Sequence, residues 1–82
     1  MVIILVETTD DFEKTLRKIK DPVLKERVKK QTAKIINYPE IGKPMKNLRK
    51  GTRELYIPPF RLSYALLGNK IILLDLYHKD EQ

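Results

Sequence analysis

Residues 60–78, FRLSYALLGNKIILLDLYH, hold two apolar runs separated only by Gly68-Asn69. A Gly-Asn pair between such runs is a short hairpin signal, because both residues tolerate the positive φ a tight turn needs. The C-terminal part of the chain is thereby committed to two antiparallel strands. Just before them, residues 53–58 alternate, with Leu55 and Ile57 on one face and Glu54 and Tyr56 on the other. Pro58-Pro59 cannot donate ladder hydrogen bonds, so the chain turns a stiff corner immediately ahead of Arg61.

The N-terminal half reads differently. Residues 2–6, VIILV, form an unbroken β-branched and leucine run, which predicts a strand buried on both faces or in mid-sheet. Thr8-Thr9-Asp10-Asp11 then supplies capping oxygens and first-turn negative charge. Phe12, Leu16 and Ile19 follow at i, i+4 and i+7, one helical stripe. Asp21-Pro22 ends that helix and opens the next, with Asp21 as N-cap and Pro22 in the first turn. The second helix is expected to reach Asn37 and to turn Leu24, Val28, Ile35 and Ile36 inward, with Gln31 and Thr32 weakening the stripe. Tyr38-Pro39 closes it, because a residue before proline avoids the α region. Residues 40–51 show no periodicity and read as a loop. The order β-α-α-β-β-β predicts one α+β domain over 1–82, an antiparallel sheet with an N-terminal strand and a helical hairpin on one face.

Eighty-two residues leave room for one core. The absence of cysteine excludes a disulfide framework and a Cys-based zinc site, and points to a reducing, cytoplasmic setting. No metal or cofactor is expected. The apolar N-terminus is too short for a signal sequence, and no run approaches the roughly 20 residues of a membrane span, so no membrane partner is expected. The net charge of +6 is concentrated: residues 43–61 carry Lys43, Lys46, Arg49, Lys50, Arg53 and Arg61 against Glu54 alone. Such a concentration expects phosphate or an acidic protein as its partner. The helix lysines, interleaved with acids, read as a solvated face.

A two-residue loop at Gly68-Asn69 pairs Leu67 with Lys70, and counting outward sets Arg61 opposite Leu76 and Ser63 opposite Leu74. Side chains alternate, so Arg61, Ser63, Ala65, Leu76 and His78 are expected on one face, and Phe60, Leu62, Tyr64 and Leu66 on the other, under the helices. Arg61 and His78 then share an open face, with Lys79 just beyond. Leu74 and Leu76 also fall there, and leucines on a bare face imply a protein partner that covers them. Tyr64 reads as a core tyrosine. Tyr56 is placed either to stack on a base or to fill a gap. The plainer alternative for Arg61 is an ion pair with a carboxylate such as Glu54.

The ordered set of Lys43-Pro44 with Leu48, the 53–57 strand, Arg61-Leu62-Ser63-Tyr64, and an apolar 71–77 strand followed by His78-Lys79 resembles the RelE/ParE superfamily of type II toxins over essentially the whole chain. Pro58-Pro59-Phe60-Arg61 stands where the family usually has a Gly-Asp-Tyr-Arg type of turn. The resemblance implies the toxin of a toxin–antitoxin module: a ribosome-dependent endoribonuclease that cuts mRNA in the A site by 2′-OH attack. It implies Arg61 on the phosphorane, Lys79 in the C-terminal basic position, Arg53 on the preceding strand and His78 as general acid or base. Lys43, Lys46, Arg49, Lys50 and Tyr56 are the expected RNA contacts. A RelB-like antitoxin, the ribosome and mRNA are the expected partners. Many RelE-like nucleases carry a tyrosine after the last strand; this chain ends Asp80-Glu81-Gln82, and Tyr77 falls on the core side by parity. The same fold carries ParE-like toxins that bind DNA gyrase without enzymatic activity, and a basic RNA-binding module is a third reading.

Overall fold

The computed structural model describes residues 2–45 and 51–78. Expectations for Lys46, Arg49, Lys50 and Lys79 lie outside the described residues. In chain order the elements are β1 (Leu5–Thr8), α1 (Asp10–Lys18), α2 (Pro22–Asn37), β2 (Lys43–Pro44), β3 (Thr52–Ile57), β4 (Phe60–Leu67) and β5 (Lys70–His78). They make a five-stranded sheet in the order β1-β5-β4-β3-β2, with the helical hairpin on one face.

The helix signals act as their chemistry dictates. Thr9 caps α1 by accepting from the Phe12 N–H, and Asp21 caps α2 by accepting from the Val23 N–H, with Pro22 at the start where no donor is needed. Phe12, Ile19, Val28 and Ile35 bury against Ile57, Leu62, Tyr64, Ile71, Leu73 and Leu76. Ile36, expected inward, is 36% exposed: its side chain falls beyond the stripe set by Val28 and Ile35.

Residues 40–51, expected as a loop, contribute the two-residue strand β2, which pairs with β3 and gives the sheet a fifth strand. Two further expectations about the sheet are corrected. β1 is an outer strand whose four residues are all exposed, not a buried or central one. It also runs parallel to β5, with Val6 opposite Ile71, so the sheet is mixed rather than wholly antiparallel. A run of apolar β-branched residues favours a strand but does not encode its position, and here the helical hairpin intervenes before the chain re-enters the sheet. The second correction concerns register. Leu67 pairs with Lys70 as expected, around Gly68 at φ 61°, and the pairing holds to Tyr64 opposite Leu73. A bulge then follows, and Ser63 pairs with Asp75, Leu62 with Leu76, Arg61 with Tyr77 and Phe60 with His78. Leu74 is the extra residue. Its carbonyl accepts a hydrogen bond from Thr9 Oγ1, while the Thr9 N–H donates to the Leu73 carbonyl. The helix cap thus also fastens the bulge.

Beyond the bulge every β5 side chain changes face. Leu76 is 1% exposed in the core rather than on the bare face, Tyr77 lies on the bare face, and His78 lies on the helix side. At the other end of β4, Pro58 and Pro59, joined by a cis bond, fill the two-residue turn between the paired Ile57 and Phe60.

Candidate active site on the open sheet face

The face opposite the helices is assembled from alternate residues of β3, β4 and β5. Tyr56, Arg61 and Tyr77 form one cross-strand row; Glu54, Ser63 and Asp75 form the next. Lys43 of β2 extends the second row beside Glu54. The rows are diagonal neighbours, within reach of long side chains.

Glu54 is where they converge. Its Oε1 accepts from Arg61 Nη1 at 2.7 Å, and its Oε2 accepts from the Tyr77 hydroxyl. The Arg61 guanidinium also lies over the Tyr56 ring, 5.8 Å from its centroid, and Tyr56 is 50% exposed. Tyr77 spans from β5 to Glu54 on β3, with β4 between the two strands. Ser63, one row away on β4, is fully buried although no helix covers this face, and among the described residues its Oγ has no hydrogen-bond partner. Asp75 turns its carboxylate to the Leu76 N–H next to the bulge.

The other expected site residues are distributed unequally. Arg61, Tyr56 and Lys43 are on the open face. Arg53 pairs with Tyr64 and points to the helix side, where Nη1 donates to the Gly42 carbonyl at 2.7 Å and to the Glu40 carbonyl at 3.1 Å. His78 is also on the helix side, its ring edge-on to Phe60 with centroids 5.8 Å apart, lining a shallow cavity with Lys18, Leu24 and Leu76. The expected shared face of Arg61 and His78 is therefore overturned, and the bulge at Leu74 is the reason. The ion pair with Glu54, the plainer alternative for Arg61, is present. Glu54 was legible as the one acid of the basic segment, alternating with Tyr56. Tyr77 was hidden, because its face depends on a bulge with no local sequence mark. Among the described residues, no three carboxylates or imidazoles converge to hold a metal ion, and no helix is long and apolar enough to cross a membrane.

The family model of the ParE toxin of the type II toxin–antitoxin system parDE matches residues 6–82. The chain belongs to the ParE toxin family. No curated protein sequence matches it. Among solved structures, this ParE-family chain is similar to the RelBE2 toxin–antitoxin complex of Mycobacterium tuberculosis, with a TM-score of 0.78 and 22% identity over 95% of this chain and 100% of that one. It is also similar to a YoeB/ParE toxin of Agrobacterium tumefaciens, with a TM-score of 0.81 and 14% identity over 92% and 98%. The intact RelBE complex of Escherichia coli gives a TM-score of 0.76 and 15% identity over 90% and 94%. At these identities the likeness is one of fold, and it extends over nearly the full length of each matched chain.

Proposed function

We propose that this type II toxin is an endoribonuclease that cleaves mRNA in the ribosomal A site, and that Glu54, Arg61 and Tyr77 carry the reaction. The observation behind this reading is the Glu54 carboxylate held between a guanidinium and a phenol on the sheet face away from the helices. Glu54 takes the proton of a ribose 2′-OH; the 2′-oxygen attacks the adjacent phosphorus; the bond to the 5′-oxygen breaks. Arg61 moves from the carboxylate to the phosphorane oxygens, where positive charge stabilises the transition state. On this reading the Tyr77 hydroxyl leaves Glu54 and passes its proton to the departing 5′-oxygen, leaving a 2′,3′-cyclic phosphate and a 5′-hydroxyl. Tyr56 offers its exposed face to a base, Lys43 with Lys46, Arg49 and Lys50 contact flanking phosphates, and Lys79 adds charge at the C-terminal side. His78, on the helix side, is left outside the reacting set.

The partner we propose is an antitoxin, as in the RelBE complexes of similar fold. Leu76 no longer argues for one, being in the core; the concentrated positive charge does. A second reading, a gyrase-binding toxin without enzymatic activity, is favoured by the match to the ParE family model. Purified chain added to programmed ribosomes, with mapping of mRNA 5′ ends, separates the two. A-site cleavage that disappears in Arg61→Ala supports the nuclease. Intact mRNA together with inhibited supercoiling by gyrase supports the second reading and removes the first.

A further inference from the structure

Residues 39–42 connect α2 to β2, and two sheet side chains grip them. The Tyr64 hydroxyl donates to the Pro39 carbonyl at 2.8 Å and accepts from the Gly42 N–H at 2.9 Å. Arg53, directly across from Tyr64, donates to the carbonyls of Gly42 and Glu40. The fit leaves no spare room: a Cβ on Gly42 would stand 2.8 Å from the Tyr64 hydroxyl oxygen and 3.0 Å from the Glu54 carbonyl oxygen. None of these four hydrogen bonds reaches the reacting groups on the open face. What they hold is the residue before Lys43. β2 is only two residues long, too short to keep its own register, yet it sets Lys43 opposite Glu54.

We propose that Arg53 and Tyr64 are positioning residues, a latch that fixes Lys43 beside Glu54 so that its ammonium meets an RNA phosphate. This rests on the reading of the open face as an RNA site. The latch acts from the opposite side of the sheet: the two side chains hold the backbone of Gly42, and the strand carries that constraint through to Lys43. Arg53 therefore serves the site without touching substrate, and a change at Tyr64 is felt as a misplaced charge.

The test uses the full chain, an uncleavable 2′-O-methyl oligoribonucleotide as probe, and binding measured over a range of salt concentrations. Removing one lysine–phosphate interaction lowers the slope of log affinity against log salt by about 0.7. Lys43→Gln sets the reference change. Tyr64→Phe and Arg53→Met, each checked for folding by circular dichroism, are expected to lower the slope by the same amount. Either one combined with Lys43→Gln should lower it no further. In Tyr64→Phe the Gly42 amide, stripped of its acceptor, should also exchange at least tenfold faster. Folded variants that keep the wild-type slope overturn the latch, as does an unchanged Gly42 exchange rate. A wild-type chain that does not bind the probe removes the RNA reading itself, and the proposal with it.

Discussion

Arg61 and His78 stand on opposite faces of one hairpin: Arg61 pairs with Tyr77, and His78 with Phe60. Without the extra residue at Leu74 they would share a face. The separation is enforced where the Leu74 carbonyl, released from the ladder, is taken up by Thr9. The hydroxyl at the head of α1 thus fastens the bulge that sets which β5 side chains belong to the open face.

The register can be tested through Leu76. Burial at 1% exposure means that Leu76→Ala should cost about 2–5 kcal/mol, as for other truncated core leucines. On a bare face the same change would cost well under about 1 kcal/mol. Urea denaturation of the two proteins decides between them.

His78→Leu follows from the same geometry. Without the edge-on packing against Phe60, stability should fall by about 0.5–1.5 kcal/mol. Ribosome-dependent mRNA cleavage should stay within about threefold of wild type. A hundredfold loss in a folded variant would return His78 to the reacting set.

Glu54→Gln separates chemistry from stability. The amide cannot take a proton from a 2′-OH, so cleavage should fall by about 10²- to 10⁴-fold. The Arg61 side chain is 37% exposed, which limits the stabilising effect of the ion pair to about 0–1 kcal/mol. A variant that loses more than that in stability, with its cleavage rate intact, would make Glu54 a structural residue.

Tyr64 has its own pH signature. Burial holds the phenol neutral and raises its pKa above the ordinary 10.0, against smaller lowering effects from the Gly42 N–H and the Arg53 charge. Between the unfolded and folded pKa values the unfolded chain has lost the proton and the folded one has kept it, so stability falls as pH rises. Wild type minus Tyr64→Phe should therefore show a loss of stability that begins near pH 10 and is absent below it. At neutral pH the substitution should cost about 1–3 kcal/mol, because the Gly42 N–H and Pro39 carbonyl lose their partner. Parallel denaturation series from neutral pH to about pH 11 read both effects; a difference independent of pH would contradict the buried, neutral phenol.

Much of the architecture is local and was therefore legible. Asp21-Pro22 marks a helix start by chemistry carried within three residues, and Gly68-Asn69 marks a turn the same way. Tyr64 in the core and Arg61 on the open face follow from alternation along a single strand, which holds whatever the neighbouring strand does. Apart from Ile36, which helical phase alone puts outside the buried stripe, the misread features involve a partner distant in sequence. Position within the sheet for β1 depends on β5, at the far end of the chain, and an apolar run carries no record of that choice.

Alone, then, the sequence determines the elements other than β2, the stiff corner before Arg61, the concentration of positive charge and the face on which Arg61 and Tyr56 emerge. All of these arise from period, turn chemistry and composition. Tertiary structure decided the rest: that Tyr77 rather than His78 joins Arg61, that Glu54 is the residue both grip, and that Arg53 turns away to hold Gly42. Each of these depends on the side-chain period of two in a strand, where one unpaired residue reverses every face beyond it, or on a contact between segments the chain brings together only when folded.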